Sequence, residues 1–350
     1  MSFFCRGPES GPAARMRRKT LVFGVLAVCA GLLEAPLAFA QTVIKLGTIA
    51  PEASIWHDAL LELRARWREL SDGEVELRVY PGGVLGGEEE MIRKMQRRGL
   101  DALAVSGAGL PQIDGIVECL QLPLFFDTYE ELNTIRDAIA SELEQSFERK
   151  GYKILSWAEA GWVHFFAKSP VRTPDDLRQL RLWIAAGAPE SERMSKELGF
   201  RTVPLPVTDM LTGLQTGLIE VIDVPPLFAL LDRTYQAAPY MTELRFAPLI
   251  AATVIAMPAW ERIDMQYRDR FLQAARDAVD TMREALHAAE TAAIDEMVAR
   301  GLTVVELDRQ ALGDWRSEAA RVYPQLGCAR EHPELFERIM RLRGAAAARD

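Results

Sequence analysis

The chain has 350 residues, 49% of them hydrophobic, and carries 41 basic and 50 acidic side chains. The formal net charge of −9 argues against nucleic acid and against anionic membrane surfaces as partners. With one asparagine, four histidines and four cysteines, the chain has little raw material for a metal or catalytic site.

The first forty residues have the features of a secretory signal peptide. A basic segment precedes an apolar segment of 13 residues at 21–33, and Ala-Phe-Ala at 38–40 forms a small-residue cleavage site before Gln41. Thirteen apolar residues are too few to span a bilayer of about 30 Å. We therefore predict cleavage after Ala40 and a soluble periplasmic protein.

Three alternatives at this end stay open. Translation could start at Met16, which would leave a standard charged segment before the apolar one. The segment could also remain uncleaved as an anchor. A lipoprotein cleaved before Cys29 is the third reading, although Val28 is a poor residue in front of a lipidated cysteine.

Removal of the first forty residues takes away five basic and two acidic side chains. The mature chain then carries 36 basic and 48 acidic residues, a net charge of −12. Only Cys119 and Cys328 remain, and they can form one disulfide or stay as two buried thiols.

Two α/β units follow each other along the mature chain. The first predicts strands at 42–50, 75–81 and 101–107, with helices at 56–70 and 88–98 between them. The second predicts the same order, with strands and helices alternating at 181–185, 189–199, 201–206, 208–215 and 218–224. Two units of one order favour two lobes, each with a mostly parallel sheet flanked by helices.

Three long segments are predicted to connect the lobes. The apolar strands 153–169 and 248–260 are candidates for crossing from one lobe to the other. Residues 269–301 form a helical run of about 50 Å, longer than one small lobe, and are predicted to span both. The predicted division is 41–160 plus 250–290 for lobe I and 161–249 plus 291–345 for lobe II.

Five segments in order resemble the substrate-binding proteins of tripartite ATP-independent periplasmic (TRAP) transporters, the DctP type. They are LGTIAPEASIWHDAL, VELRVYPGGVLGGEEEMIRKMQRRGLDALAVS, QLPLFFDTYEEL, SPVRTPDDLRQLRLW and VPLPVTDMLTGLQTGLIEVIDVPP. The resemblance implies a two-lobed α/β periplasmic binding protein with a long helix across both lobes. It also implies a ligand in the cleft between the lobes and delivery to the small and large TRAP membrane subunits.

The resemblance further implies polar anchors at three positions where this chain has apolar residues. The arginine that holds a carboxylate in the family falls on Trp183, a second arginine on Val163, and a ligand-facing asparagine on Val224. A closed cleft without such an arginine leaves a ligand carboxylate desolvated, whereas an indole offers one N–H donor and a large apolar face. We therefore expect a hydrophobic or amphiphilic, uncharged ligand and a member of a subgroup without the carboxylate-binding arginine.

Ten residues are predicted to bind this ligand. They are Trp183, Trp56, Phe125, Trp157, Glu159, Trp162, Ser106, Asp209, Pro225 and Phe228. Several have a structural alternative: a core position for Trp183 and for one of Trp157 and Trp162, a solvent-facing hinge for Glu159, and a helix cap for Asp209, as for Ser54. Because Trp157 and Trp162 lie five residues apart, an unbroken strand would point them to opposite faces.

Catalytic and cofactor motifs are not predicted. The loop GGVLGG at 82–87 lacks a P-loop lysine, and no HExxH, CxxC or GxSxG motif occurs. Glu88, Glu89 and Glu90 open a helix and are interpreted as a solvated face. The sequence therefore predicts a receptor, not an enzyme, without metal or cofactor.

Alternative functions stay open at this point. The same fold could bind a small organic acid through Arg172, Arg181 or Arg233, and Arg181 would share the strand face of Trp183. A hydrolase using Glu159, or a ligand sensor or scaffold without transport, are further alternatives. In relatives without the arginine, a periplasmic tetratricopeptide-repeat protein sometimes accompanies the transporter, and the resemblance suggests such a partner here.

Overall fold

The computed structural model describes residues 41–347, apart from the side chains of residues 189, 190 and 345–347. The predicted signal peptide at 1–40 lies outside these residues. Within them, no helix is both long and apolar enough to cross a bilayer.

Eight of the ten strands in the described residues correspond to predicted ones, and two strands of three residues each, Tyr240–Thr242 and Thr303–Val305, were not predicted. Numbered β1 to β10 in chain order, the ten strands are Thr42–Thr48, Val75–Tyr80, Ala102–Ser106, Tyr152–Ala167, Arg181–Ala185, Arg201–Leu205, Val221–Val224, Tyr240–Thr242, Ala247–Ala256 and Thr303–Val305.

The helices flank this sheet, and short 3-10 turns occur in several of the connections. Numbered α1 to α12, they are Ile55–Leu70, Glu88–Gln96, Tyr129–Arg149, Pro174–Arg178, Pro189–Glu197, Met210–Thr216, Pro226–Leu231, Met257–Trp260, Met265–Ala299, Arg309–Val322, Gly327–Glu331 and Pro333–Ala347.

One of the two predicted serine or aspartate caps is present. The Ser54 hydroxyl accepts a hydrogen bond from the His57 backbone N–H at 3.2 Å, which confirms it as the N-cap of α1. Asp209 makes no side-chain cap bond to α6, because a 3-10 turn, Val207–Asp209, precedes that helix.

The sheet contains two groups of parallel strands joined by an antiparallel pair. The order is β2-β1-β3-β9-β4-β7-β5-β6, with β8 beside β4 and β10 beside β8. β1 runs parallel to β2 and β3, and β5 runs parallel to β6 and β7. This confirms the α/β fold with mostly parallel strands in each group, whereas the lobe boundaries stay a prediction.

Strand β4 connects the two groups. Residues 152–163 pair with β9 and residues 164–167 pair with β7, both antiparallel. The predicted crossing by the apolar segment 153–169 is therefore present. The second predicted segment, 248–260, forms β9 and then turns into α8 at Met257.

Helix α9 packs against both groups of strands through their helices. Its 35 residues extend over about 52 Å. Near its start, Phe271 stacks on Trp67 of α1 with 4.3 Å between ring centroids. Farther along, Leu286 and Ala293 pack against Leu227 of α7. The predicted long helix across both halves is confirmed.

A β-bulge interrupts β4 in its middle. Glu159 pairs with Ile250 and Gly161 pairs with Leu249, so Ala160 is an extra residue on this strand. Gly161 has a φ of +119°, and a Cβ there would lie 2.7 Å from Cβ of Pro225. The bulge therefore reverses which residues of β4 face each side.

Cys119 and Cys328 form a disulfide with 5.0 Å between their Cα atoms. It joins the 3-10 turn Gly115–Leu120 to α11, across 209 residues of sequence. This geometry selects the disulfide from the two alternatives that the sequence left open.

Candidate ligand-binding cavity

A cavity of about 270 Å³ lies where the carboxyl ends of four parallel strands meet. The segments after β1 and β3 contribute residues 48–51 and 104–108, and the ends of β5 and β7 contribute residues 183–185 and 223–225. In parallel α/β sheets this edge is the usual place for a ligand, since the connecting loops leave a crevice there.

The remaining walls come from the antiparallel pair and the long helix. Ala158, Ala160 and Val163 of β4 face the cavity, and Val279 and Met282 of α9 contribute further apolar surface. Other lining side chains are also mostly small or apolar. Among them are Leu60, Met194, Met210, Leu122, Phe246 and Leu249. Such a lining binds ligands mainly through removal of apolar area from water.

Trp183 lines the cavity from β5, with 5% of its surface exposed. Its Nε1 donates a hydrogen bond to the Leu205 carbonyl oxygen of the neighbouring strand β6 at 3.0 Å. The N–H that the sequence interpretation reserved for a ligand is thus used inside the protein. Only the apolar ring surface remains for contact with a ligand.

Four more of the predicted ligand residues line the same cavity. Trp56 lies in the first turn of α1, Pro225 and Phe228 lie at the start of α7, and Ser106 ends β3. Val224, one of the three family anchor positions, also lines it. These residues are far apart in sequence. They meet here because each lies at the carboxyl end of a strand or faces such an end.

Ser106 is held by a buried carboxylate. Its backbone N–H and its hydroxyl donate to Glu88 Oε1 and Oε2 at 2.6 and 2.8 Å. Burial raises the pKa of Glu88 to about 7, against the opposing effect of these bonds. The interpretation of Glu88 as part of a solvated face was wrong, since only 5% of this residue is exposed.

Two ionisable residues that sequence reasoning missed line the cavity. Burial raises the pKa of Asp223 in β7 to about 7. Burial, followed by repulsion from Glu331, raises the pKa of Glu118 to about 8. The only sequence signal for Asp223 is a carboxylate inside the apolar strand Val-Ile-Asp-Val, and Glu118 has no comparable signal.

Three predicted ligand residues of β4 lie on the face away from the cavity. Trp157 and Trp162 pack against Phe147 and Tyr129 of α3, with ring centroids 6.1 and 5.5 Å apart. Glu159 does not line the cavity, and with 2% of its surface exposed it does not face solvent either. The bulge at Ala160 explains this, because it places both tryptophans on the same side of the strand.

A polar cluster occupies that other face, which we call the Glu290 cluster. Glu159 Oε2 lies 3.1 Å from Nε2 of His287. Glu290 of α9 accepts hydrogen bonds from the Tyr129 hydroxyl at 2.8 Å and from the Trp162 backbone N–H at 3.0 Å. This cluster ties α3, β4 and α9 together beside the bulge.

Phe125 and Asp209 also lie outside the cavity. Phe125 is fully buried and packs against Phe126 and Tyr323, because its neighbours Leu122 and Pro123 take the cavity positions. Asp209 is exposed beside a separate depression next to the glycine-rich loop.

None of the three arginines considered for an organic acid lines the cavity. Arg181 donates to the carbonyl oxygens of Leu218 and Gly217 at 3.0 and 2.7 Å, at the opposite end of β5. Arg172 and Arg233 are exposed. Among the side chains that the structure describes, no arginine, lysine or histidine lines this cavity.

Metal binding finds no support in the described residues. Within residues 41–347, no group of three or more histidine, cysteine, aspartate or glutamate side chains is arranged to hold a metal ion.

Two halves of parallel strands, a connecting antiparallel pair, a long shared helix and a cavity at the strand ends define a solute-binding protein. The family model described as bacterial extracellular solute-binding protein, family 7 (DctP) matches residues 46–327. The chain belongs to this family, as its resemblance to TRAP substrate-binding proteins indicated. Members of the family are receptors for solutes and not enzymes.

Relatives share the fold at low sequence identity. The 2,3-diketo-L-gulonate-binding periplasmic protein YiaO of Escherichia coli K12 is 24% identical over 282 residues, 79% of this chain and 85% of that protein. A TRAP periplasmic solute-binding protein of Xanthobacter autotrophicus Py2, with bound β-D-galacturonate, has a TM-score of 0.80 at 20% identity. It covers 86% of this chain and 99% of its own. One from Haemophilus influenzae, with bound L-gulonate, has a TM-score of 0.80 at 19% identity and covers 86% and 100%.

Proposed function

We propose that this protein is a periplasmic receptor that binds a hydrophobic or amphiphilic ligand without a carboxylate and delivers it to TRAP membrane subunits. Its signal peptide directs export and is cleaved after Ala40. In this reading the protein belongs to a subgroup without the carboxylate-binding arginine and performs no chemistry on its ligand.

The charge of the cavity lining carries this proposal. No basic side chain lines the cavity among those described, and its two ionisable groups, Glu118 and Asp223, are both acidic. The three positions that the family resemblance assigns to polar anchors, Trp183, Val163 and Val224, all line it with apolar surface.

An acidic ligand would be unfavourable in such a site. A carboxylate that loses its water without an arginine partner costs several kcal/mol, about the size of a typical binding free energy for a weak ligand. Where the two acidic side chains of the cavity are ionised, above their raised pKa values, they add like-charge repulsion. Burial of an apolar ligand surface instead contributes about 25 cal/mol per Å².

The rival function is a receptor for a small organic acid. The ligands present in the structures of the Xanthobacter and Haemophilus relatives, galacturonate and gulonate, favour it. Those relatives are 19–20% identical to this chain, so their ligands do not transfer by similarity alone. The positions of Arg172, Arg181 and Arg233 outside the cavity count against it.

Partners follow from the family and from the ligand. TRAP membrane subunits would receive the loaded receptor, and a periplasmic tetratricopeptide-repeat partner stays a prediction from the resemblance. Co-purification of each after crosslinking in the native cell tests these partners.

The deciding experiment identifies what the protein carries. The exported chain is purified without detergent, extracted with organic solvent, and the extract is analysed by mass spectrometry. In parallel, isothermal calorimetry measures binding of galacturonate, gulonate and succinate to protein freed of its ligand on a hydrophobic resin. We expect a stoichiometric apolar or amphiphilic compound and no heat from the three acids.

Trp183→Arg provides the matched variant, since it restores the family's basic residue at the cavity wall. We expect this variant to lose the extracted compound. A variant at an exposed position outside the cavity, Arg233→Ala, should retain it. Tight binding of any of the three acids by the unmodified protein would overturn the proposal.

A further inference from the structure

Asp223 is one of two acidic residues in the described wall of the cavity. It lies in β7, next to Phe165 of β4 in the strand pairing, and lines the cavity together with Val224 and Pro225. Its Oδ1 is closed off from solvent and has no hydrogen-bond partner among the described residues. A buried carboxylate oxygen without a donor makes the ionised form costly, and the part of Asp223 that stays exposed in the cavity wall is where a ligand cation can offset that charge.

Glu118 adds a second acidic group to the same cavity. It belongs to the turn Gly115–Leu120, which the disulfide between Cys119 and Cys328 fixes to α11. Glu331 of α11 is the charged group that acts on Glu118, and it raises the pKa further than burial alone does. Burial is the dominant influence on Asp223, and no charged neighbour contributes to its shift.

The pair contrasts with Glu88, a third buried carboxylate near the cavity. Glu88 uses both oxygens to hold Ser106, so its place in the structure needs no ligand. Asp223 holds no other residue in this way, and its Oδ1 has no partner among the described residues. A carboxylate in the wall of a ligand cavity, with part of its surface exposed there, is a group available for recognition.

We propose that the ligand carries a protonated amine on an apolar body, and that Asp223 accepts the hydrogen bond from its ammonium group. Glu118 supplies a second negative charge that favours the cation in the same cavity. This inference rests on the proposed function and deepens it. The ligand keeps its apolar body, but a cation takes the place of the uncharged polar end that the sequence predicted.

Charge balance favours an amine over a neutral donor such as a hydroxyl. A cavity with two acidic groups and no basic side chain must neutralise them with protons or with the ligand. An ammonium group provides both the donor and the charge, and hydrogen bonds between ionised partners are roughly twice as strong as neutral ones.

Three probes with one apolar body separate the possibilities: n-octylamine, octan-1-ol and octanoate. Their binding to ligand-free exported protein is measured by isothermal calorimetry at about pH 8, where Asp223 is ionised and octylamine is protonated. We expect octylamine to bind at least about tenfold more tightly than octan-1-ol, and octanoate to bind most weakly.

Asp223→Asn tests the assigned residue. We expect it to weaken octylamine about tenfold or more, while octan-1-ol changes by less than about threefold. Glu118→Gln should have a smaller effect of the same kind. Asp209→Asn, which removes an acidic group outside the cavity, is the matched control and should leave all three affinities unchanged. Thermal unfolding of each variant verifies that the fold is retained.

The pH dependence gives a second signature. As the pH falls from about 8 to about 5.5, Asp223 takes up a proton and the affinity for octylamine should fall. The Asn variant should show a smaller decline, because only Glu118 still titrates in the cavity.

The outcomes separate this inference from the proposed function. Equal binding of octylamine and octan-1-ol, or an equal loss of both in Asp223→Asn, overturns the amine and leaves the apolar receptor standing. Tightest binding by octanoate, or by a uronate, overturns both.

Discussion

The two faces of strand β4 differ in the hydrogen bonding of the carboxylates beside them. On one side, Ala158, Ala160 and Val163 face an apolar cavity, and a buried oxygen of Asp223 in its wall has no hydrogen-bond partner within residues 41–347. On the other side, Glu290 accepts hydrogen bonds from both Tyr129 and Trp162. The difference predicts that Glu290 stabilises the connection between the halves, whereas ionised Asp223 costs stability.

The largest expected loss of stability is at the bulge of β4, which lies between these two faces. Gly161→Ala places a Cβ at φ +119°, against Pro225 and the carboxylate of Glu290. Backbone strain of about 1–2 kcal/mol and overpacking of about 1–3 kcal/mol should together lower the free energy of unfolding by roughly 2–5 kcal/mol. Urea unfolding measures the loss.

Gly73→Ala is the control for the bulge, because its φ is +81° but no atom lies within 4 Å of the added Cβ. It should cost only the strain, about 1–2 kcal/mol. Equal losses in the two variants would show that the close approach at Gly161 has no energetic consequence.

The next largest loss of stability is expected when the carboxylate of Glu290 is removed. Glu290→Ala leaves the Tyr129 hydroxyl and the Trp162 N–H without their acceptor, which should destabilise the protein by about 2–3 kcal/mol in urea unfolding. The exposed Glu284 of the same helix is the control, and its change to Ala should stay within about 0.5 kcal/mol. Similar values for both would remove the distinction between the two sides of β4.

Asp223→Asn should instead raise the free energy of unfolding, by an amount that depends on pH. Burial raises the pKa of Asp223 from 3.8 to about 7, so ionisation lowers stability as the pH rises between these values. The neutral amide avoids this cost, and we expect a gain of about 1–2 kcal/mol near pH 8 and little change near pH 4. Thermal unfolding at both pH values measures it, and a loss of stability at pH 8 would contradict the unpartnered state of Asp223.

The smallest expected effect concerns two cavity tryptophans. Trp183→Phe removes the donor to the Leu205 carbonyl, whereas Trp56→Phe removes an N–H that has no hydrogen-bond partner among the described residues. Trp183→Phe should therefore cost about 1 kcal/mol more in urea unfolding than Trp56→Phe. A larger loss for Trp56→Phe would indicate that its indole N–H is bound after all, for example by water.

Sequence patterns predicted the backbone well and the site only in part. Alternating apolar residues located the strands, and β5 at 181–185 has the predicted bounds. The predicted ligand positions at or near strand ends, such as Ser106, Trp183 and Pro225, line the cavity because the topology brings those ends together.

The positions within β4 could not be predicted in this way. An even alternation would have put Trp157 and Trp162 on opposite faces, but Ala160 is an extra residue and places both against α3. A bulge depends on pairing with a strand almost ninety residues away, and a single strand's pattern does not contain that information.

The sequence by itself determined the α/β units and the long helix, because these depend on local periodicity and on residue type. The family followed from its resemblance to TRAP substrate-binding proteins. Only the tertiary structure decided which groups share the cavity. Asp223 and Glu118 line the cavity, Glu88 accepts a hydrogen bond from Ser106, and Glu159 contacts His287 of α9. These contacts could not be predicted, because burial and hydrogen bonding of a carboxylate depend on neighbours that are distant in sequence.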